Sequence, residues 1–316
     1  MAALARQHKA YLYAAAAVLI WSTVASAFKL SLRHLSTFQL LLWADVVSIF
    51  CLFGVLVWQK KLRLLLDYRR PALLRAAALG ILNPFLYYVI LFAAYDLLPA
   101  QEAQPLNYTW AITLSLLSIP LLKQRLGLRE ILAIFISYFG VVVISTHGRL
   151  LALEFSNGLG VFLALASTVI WALYWIYNTR DKKDPVAGLF LNFVFGFPFI
   201  LVACLIFSDP WPDTLAGLAG AVYVGIFEMG ITFVFWLNAL KLTRSTARVS
   251  TLIFFSPFLS LVFIRLFVGE HIRLATIIGL CFIIGGSLLQ QTGRQAAPEV
   301  DPAVSGKKEL AGRKAN

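Results

Sequence analysis

The amino-acid sequence predicts an all-α membrane protein with ten transmembrane helices, arranged as two inverted five-helix repeats. Three observations predict this fold class: ten apolar runs long enough to cross a bilayer, basic residues concentrated in alternate loops, and an internal similarity between the two halves. Of the 316 residues, 60% are hydrophobic and 13% are charged. The mean hydropathy is +0.81, far above that of a soluble globular domain.

Each apolar run can form a membrane-spanning helix, which takes roughly 20 residues. The predicted spans cover residues 10–30, 37–58, 72–95, 99–122, 129–146, 158–178, 186–207, 215–240, 246–268 and 274–291. The first run could instead be a signal peptide, because Arg6 and Lys9 precede it and Ala25-Ser26-Ala27 resembles a cleavage site. Its length, and its counterpart in the second half, favour a span.

The basic residues predict how the chain lies in the membrane. If the N-terminus is cytoplasmic, 22 of the 27 Lys and Arg residues fall on the cytoplasmic side. The remaining five are Lys29, Arg33, Arg149, Arg265 and Arg273. The positive-inside rule therefore predicts ten crossings with both termini in the cytoplasm. The net charge of +12 is then a topology signal, and no nucleic-acid partner is needed to explain it.

The two halves of the sequence resemble each other at a shift of 145 residues, which aligns Gly80 with Gly225 and Gly140 with Gly285. Five crossings per copy is an odd number, so the second copy is inverted relative to the first. Many secondary transporters have this architecture, with a substrate site near the midplane between the repeats. The predicted organisation is a cytoplasmic N-terminus over 1–9, repeats over 10–147 and 148–291, and a disordered cytoplasmic tail over 292–316.

Polar residues lie at matching positions in the two halves. Asn83 and Tyr87 are four residues apart, and the shift places them on Glu228 and Thr232, which are also four apart. Each pair is therefore predicted to share one helical face. Helix-breaking residues occur at the same places, Pro84 and Gly230. Irregular backbone at membrane depth is tolerated where it is buried in protein or lines a cavity, so both faces are predicted to border a wet cavity.

Two acidic residues inside the predicted spans carry the highest cost, about 2.5 to 3.5 kcal/mol for a charge at the helix centre on insertion scales. Glu228 is predicted either to line the cavity, binding a cationic group or carrying a proton, or to form a structural hydrogen bond. Asp45 has no acidic counterpart in the other half. It is predicted either to be functional or to pair two helices.

Aromatic residues supply the remaining candidates. Tyr108 and Trp110 lie in the segment PLNYTW, and Trp171 opens the segment WALYWIYN. An interfacial aromatic belt or simple packing is the competing interpretation for both segments, above all for the residues nearer the cytoplasmic end: Tyr174, Trp175 and Asn178. The predicted substrate-binding set is Asn83, Tyr87, Tyr108, Trp110, Trp171 and Glu228. Aromatic walls suit a small amphiphilic organic solute, through stacking and cation–π attraction.

No catalytic or metal-binding pattern is found in the sequence. Cys51, Cys204 and Cys281 lie within predicted spans, and the four histidines lie in loops or at span ends. Neither set has metal-ligand spacing, and no Walker sequence is present. The sequence therefore predicts a protein that is not an enzyme, with no cofactor and no metal.

The span count, the two repeats, Ile20-Trp21 and the late glycines of the fifth and tenth spans resemble the drug/metabolite transporter superfamily. Within it, the segments NPFLYY and PLNYTW are similar to the EamA-type exporters, especially the bacterial exporters of aromatic amino acids and methyl viologen. The resemblance implies a bacterial inner-membrane exporter with aromatic cavity residues at Tyr87, Tyr108, Trp110 and Trp171. The second half departs from this pattern: Phe255 and Ile253 stand opposite Trp110 and Tyr108.

Four other functions compete with an amino-acid exporter. A nucleotide-sugar carrier needs basic residues in its cavity for the phosphates, whereas the basic residues here lie at membrane edges. An exporter of organic cations would depend on Glu228. An integral membrane enzyme would have only Glu228 and Asp45 as acid–base groups, and a scaffold would gain nothing from paired polar positions in the bilayer. Proton coupling, exchange and facilitated diffusion all remain open.

Overall fold

The computed structural model of the chain describes residues 2–122, 127–150, 155–178, 184–243 and 251–295, and the regular structure in these ranges is helical. The α-helices in these ranges are α1 (Ala2–Ser31), α2 (Thr37–Trp58), α3 (Arg70–Gly80), α4 (Tyr87–Leu97), α5 (Ala100–Asn107), α6 (Trp110–Leu122), α7 (Leu128–Ser145), α8 (Gly158–Asn178), α9 (Pro185–Phe207), α10 (Leu215–Tyr223), α11 (Ile231–Leu242), α12 (Ser256–Phe263) and α13 (Leu274–Gln295). The chain is therefore an all-α protein over these ranges.

Seven helical stretches are long and apolar enough to cross a membrane. They are Gln7–Ser31, Thr37–Trp58, Arg70–Leu97, Leu128–Ser145, Gly158–Asn178, Pro185–Phe207 and Leu215–Leu240. Two shorter apolar stretches, Leu252–Val268 and Leu274–Gln290, follow them. The expectation of a multi-pass, helical membrane protein is thereby confirmed.

The helix ends agree closely with the predicted spans, with two extensions. Helix α1 already begins at Ala2, and α13 continues to Gln295, beyond the predicted end at residue 291. The rest of the predicted tail, 296–316, lies outside the described residues, as does the start of the predicted span at 246–268.

Two long helices are interrupted at the predicted breakers. The first break, Ile81–Leu86, separates α3 from α4, and in it Asn83 has φ −145° and ψ 116°. The second break, residues 224–230, separates α10 from α11; it combines a wide helical turn with Gly230 at φ −113° and ψ −98°.

These interruptions correct one expectation. The four-residue spacing from Asn83 to Tyr87, and from Glu228 to Thr232, does not place each pair on one helical face, because the helix is not continuous between them. Proline lacks a backbone donor, and the Gly230 dihedrals are not helical, so the side chains on either side of each break turn to different directions.

The helices of the two halves pack in reciprocal pairs. Helix α1 packs against α11 and α12, and α8 packs against α4 and α6. Helix α2 contacts the second break, and α9 contacts the first. Two further pairs join the halves, α2 with α9 and α7 with α13. These contacts of the first half thus have counterparts made by the second.

Glycines allow the closest of these contacts. A Cβ at Gly80 would meet the Asn192 carbonyl oxygen and lie 2.8 Å from the Gly196 nitrogen, both in the backbone of α9. A Cβ at Gly225 would lie against the Ala44 carbonyl oxygen in α2. The end of α3 beside the first break therefore contacts the backbone of α9, and the second break contacts the backbone of α2. Close-packed membrane helices approach each other in this way at small residues.

Similar caps start α2 and α9. The Ser36 hydroxyl accepts a hydrogen bond from the Gln39 backbone N–H, and the Asp184 carboxylate accepts from Val186 and Ala187. Lys61 also donates to Asp184 at 2.7 Å. Burial raises the pKa of the Asp184 carboxyl, but the hydrogen bonds from Lys61 and the backbone outweigh it, so this pKa lies below its usual value.

We expect Gly80→Ala to destabilise the fold by about 1 to 3 kcal/mol, because the added methyl group meets backbone atoms that cannot move independently. The matched control is Gly54→Ala, whose Cβ would meet nothing within 4 Å. Thermal unfolding of the purified proteins in detergent measures the difference. Equal melting temperatures for the two variants would contradict the close contact.

Candidate functional site

A cavity of about 730 Å³ lies between the two halves of the chain. Its volume falls within the range of small-molecule sites. Side chains from α1, α4, α5, α6, α8 and α11, together with Ile253 and Phe254, form its wall. The wall is mostly aromatic and aliphatic.

Helical periodicity places these side chains. Three helices each present a stripe at three- and four-residue spacing, so successive members share a face. The stripes are Trp21, Ala25 and Phe28 on α1, Tyr87, Leu91 and Tyr95 on α4, and Phe233, Trp236 and Leu240 on α11. A similar stripe runs through α5 and α6, including Gln104, Asn107, Tyr108, Ala111, Leu114 and Ser118.

Five of the six residues expected from the sequence lie together in the cavity wall: Tyr87, Tyr108, Trp110, Trp171 and Glu228. The rings of Tyr87 and Trp171 stack, with centroids 4.4 Å apart and planes at 27°. Phe233 reaches Trp171 from α11, with ring centroids 6.1 Å apart. The two halves of the chain thus contribute to one aromatic wall.

Asn83 is not among the residues that line the cavity. It is fully buried in the first break, which packs against α8 and α9. Thr232 is also buried and outside the wall; its hydroxyl donates to the Phe227 carbonyl in the second break. Asn83 and Thr232 therefore lie at the two breaks and not in the cavity wall.

Glu228 is the acidic residue of the cavity wall. It lies in the second break, is 9% exposed, and accepts a hydrogen bond from the Tyr88 hydroxyl at 3.1 Å. Among the described residues of the wall there is no Lys, Arg or His. Among the described residues, the cavity wall therefore offers one carboxyl group and no basic side chain.

Asn107 fixes the orientation of Tyr87. Its side-chain oxygen accepts from the Tyr87 hydroxyl at 3.4 Å, and its amide donates to the Ser167 hydroxyl on α8 at 3.0 Å. Asn107 thereby ties α4 and α8 together beside the stacked rings.

Several wall residues are absent from the substrate-binding set predicted from the sequence, chiefly Trp21, Trp175, Phe233 and Trp236. The rings of Trp21 and Trp236 lie 5.5 Å apart, between α1 and α11. The signal that identifies them is the same three- and four-residue spacing of aromatic residues, but it does not tell a wall from a lipid-facing stripe.

The two ends of the cavity differ. We call the end beside Gln7 and Thr243, which hydrogen-bond each other at 3.2 Å, the proximal end. We call the end beside Lys29, whose ammonium donates to the carbonyls of Tyr95 at 2.6 Å and Leu98 at 2.8 Å, the distal end. Distal wall residues such as Phe28 are buried, whereas proximal ones, including Trp236 and Leu240, are partly exposed. We therefore expect the cavity to open at its proximal end.

Ionic and hydrogen-bonded contacts close the distal end. The Glu102 carboxylate is fully buried and accepts from Arg273 at 2.5 Å and from the Ser156 hydroxyl at 2.5 Å, while His147 lies 2.7 Å away. Glu102 corrects the expectation that Glu228 and Asp45 are the acids inside the predicted spans. It lies in the predicted span at 99–122, but at the start of α5, where the loop residues His147, Ser156 and Arg273 reach it.

A second carboxylate holds the same helix start. The two Glu270 oxygens accept from the backbone N–H groups of Ala100 and Gln101, at 2.8 and 3.1 Å. An acidic side chain at a helix N-terminus satisfies free donors there and complements the helix dipole. The loop before α13 is thereby tied to the start of α5.

A model of the EamA-like transporter family matches the chain twice, over residues 8–146 and 158–290. The chain belongs to the EamA-like transporter family. The cavity described above therefore belongs to a member of a transporter family. Among the described residues, no group of three or more His, Cys, Asp or Glu side chains could hold a metal ion.

Several relatives of this EamA-like chain are transporters by name. An uncharacterized transporter of Archaeoglobus fulgidus is 26% identical over 293 residues, covering 89% of this chain and 96% of its own. The aromatic amino acid exporter YddG of Ancylobacter novellus is 30% identical over 170 residues, covering 51% of this chain and 57% of its own. An uncharacterized transporter of Clostridium kluyveri, 28% identical, matches 57% of this chain, which spans 60% of that relative's length.

A solved crystal structure has the same fold. It superposes with a TM-score of 0.64 at 21% identity and covers 91% of this chain and 99% of its own. The helical arrangement described above is therefore an established protein fold.

We expect a cysteine at the proximal end of the cavity to be more reactive than one at the distal end. In a background with Cys51, Cys204 and Cys281 replaced by Ser, Leu240→Cys should react with a hydrophilic maleimide added on the side of the N-terminus. Leu91→Cys, which replaces a buried wall residue, should react at least about tenfold more slowly. The opposite order would contradict a cavity open at the proximal end.

Proposed function

We propose that this EamA-like transporter exports aromatic and other hydrophobic amino acids across the bacterial inner membrane, by alternating access. One observation carries the proposal: the stacked pair of Tyr87 and Trp171 lies in the same cavity as the carboxylate of Glu228. Stacking surface and a nearby anionic group suit a ring that carries an ammonium group. The named exporter among the relatives supports the same solute class.

Two inverted five-helix repeats with ten crossings underlie the proposal. The segments matched by the family model begin 150 residues apart and end 144 apart, close to the 145-residue shift in the sequence. The reciprocal packing of α1 on α11 and of α8 on α4 supports the same twofold relation. In this arrangement α5 and α6 form the fourth crossing, and residues 251–268 belong to the ninth.

The proximal end faces the cytoplasm in this proposal. Its support is the distribution of basic residues, 22 of 27 on the side of the N-terminus. A cavity open toward the cytoplasm and closed at the distal end is in the state that receives a solute for export. Rocking of the repeats about the cavity would then open the distal end.

Each residue of the predicted substrate-binding set has a proposed role. Tyr87, Tyr108, Trp110 and Trp171 contact the aromatic ring, and Glu228 attracts the ammonium group. Asn83 contributes through the shape of the first break, since it lies outside the cavity wall.

Export of organic cations is the second candidate, and a specific observation favours it. The described wall has a carboxylate but no Lys, Arg or His to bind the carboxylate of an amino acid. An amino acid would have to place that group against neutral donors, such as the amides of Gln104 and Asn107. A cation without a carboxylate avoids this requirement.

We expect Tyr87→Ala and Trp171→Ala to raise the KM for phenylalanine about two- to tenfold, since an aromatic pair contributes about 0.5 to 1.5 kcal/mol beyond its burial. Uptake of radiolabelled phenylalanine into proteoliposomes measures the change. Tyr11→Ala and Trp58→Ala are matched controls, because these side chains are 38% and 80% exposed and lie outside the wall. Equal losses in all four variants would count against the site.

We expect Glu228 to recognise the ammonium group. Phenethylamine should inhibit phenylalanine uptake more strongly than 3-phenylpropionate, which lacks the amine. Glu228→Gln should weaken the inhibition by phenethylamine more than tenfold, since a hydrogen bond to a charged group contributes about 1.5 to 3 kcal/mol.

The matched control is Glu130→Gln on α7, outside the cavity wall. If phenethylamine is itself transported and phenylalanine is not taken up, export of organic cations would replace export of amino acids as the proposed function. Inhibition that is unchanged in Glu228→Gln would remove Glu228 from both.

A further inference from the structure

Asp45 is a buried acid that the cavity does not use. It lies in the middle of α2, is 0% exposed, and is not part of the cavity wall. Within the described part of the chain, neither of its carboxylate oxygens has a hydrogen-bond partner. This sets it apart from Glu102 and Glu228, whose carboxylates accept hydrogen bonds.

The surroundings of Asp45 contain no cationic partner. The segments that pack along α2 are α4, α9, α10 and the second break. Their titratable side chains, with that of α2 itself, are Tyr87, Tyr88, Tyr95 and Asp96 on α4, Cys204 on α9, Tyr223 on α10, Glu228 in the break and Cys51 on α2. No Lys, Arg or His occurs among their described residues.

An isolated carboxylate in such a site is strongly disfavoured, because burial removes its hydration and nothing replaces it. A buried acid without a partner therefore takes up a proton and becomes neutral. A metal ion is a poorer fit, because it requires several oxygen ligands, whereas a proton requires one.

Asp45 also lies where α2 touches the second break. In the same helical turns, the Ala44 carbonyl and Val47 lie against Gly225, and the Ser48 hydroxyl donates to the Met229 carbonyl at 3.0 Å. The break carries Glu228 in the cavity wall. A rearrangement of the break during transport would therefore change the packing around Asp45.

We propose that Asp45 is the site of a coupling proton: it holds a proton while α2 is packed on the second break and releases it when that contact opens to water. This proposal rests on the transport function proposed above. Protons then bind preferentially to the packed conformation. Lowering the pH therefore shifts the population toward this conformation, and raising the pH shifts it toward the one in which Asp45 is hydrated.

The first test asks directly whether Asp45 is protonated, and it needs no solute. Infrared difference spectra of the full-length protein at pH 7 compare the wild type with Asp45→Asn in the carbonyl region of neutral carboxyl groups. We expect Asp45→Asn to lack one such band. Asp213→Asn is the matched control, because Asp213 is exposed to solvent. A spectrum unchanged by Asp45→Asn would overturn the proposal.

The second test asks whether this proton is coupled to transport. In proteoliposomes with a pH difference of about one unit, coupling to one proton shifts the final ratio of labelled phenylalanine by up to about tenfold. We expect Asp45→Asn and Asp45→Leu to abolish this shift, while phenylalanine still equilibrates down its own gradient. A shift as large as that of the wild type in both variants would overturn the coupling.

The two tests separate this proposal from the proposed function. A wild type that transports no phenylalanine but shows the Asp45 band would reject the solute and support the proton site. A wild type that transports phenylalanine but lacks the Asp45 band would support the solute and reject the proton site. Asp45→Asn should fold as well as the wild type, since an amide replaces a neutral acid of similar shape. Asp45→Leu, which needs no hydrogen bond, covers the case in which the amide is not tolerated.

Discussion

The structure depends on one constraint of the bilayer: every backbone polar group at membrane depth must find its partner within the protein. The second helix break meets this constraint in part through side chains of α2 and α11. Thr232 and Ser48 donate to the carbonyls of Phe227 and Met229 at the second break. Gly80 and Gly225 let the breaks press on α9 and α2. The breaks can therefore exist only where the halves of the chain meet.

The cavity lies at the same junction between the two halves of the chain. Because α4 and α11 restart after the breaks, their aromatic stripes turn toward the centre, where Tyr87 stacks on Trp171 and Phe233 approaches from the other half. Glu228 lies within the second break itself, so a hydrogen-bonded carboxylate and irregular backbone occur together. In the proposed function, the residues that would contact a solute therefore lie beside the backbone that would rearrange.

The two ends of the cavity are held by different forces. Charged side chains close the distal end through Lys29, Glu102, Glu270 and Arg273, whereas aromatic contacts such as that of Trp21 with Trp236 border the proximal opening. A carboxylate such as that of Glu102 is expensive to expose to lipid but not to water. In the proposed mechanism, these distal contacts would open toward the aqueous phase and re-form.

The sequence by itself determined the membrane-spanning helices, because length and hydropathy decide what a bilayer accepts; α2 and α8 end at the predicted residues. It also indicated the aromatic wall, since Tyr87, Tyr108, Trp110 and Trp171 combine aromatic character with helical spacing. Only the tertiary structure decided that Asn83 lies outside the wall and that Trp21 and Trp236 belong to it. It also decided that Glu102 has partners, while Asp45 has none among the described residues. The physical reason is that a helix break changes the direction of the side chains near it, and that the partners of a buried acid come from segments distant in the sequence.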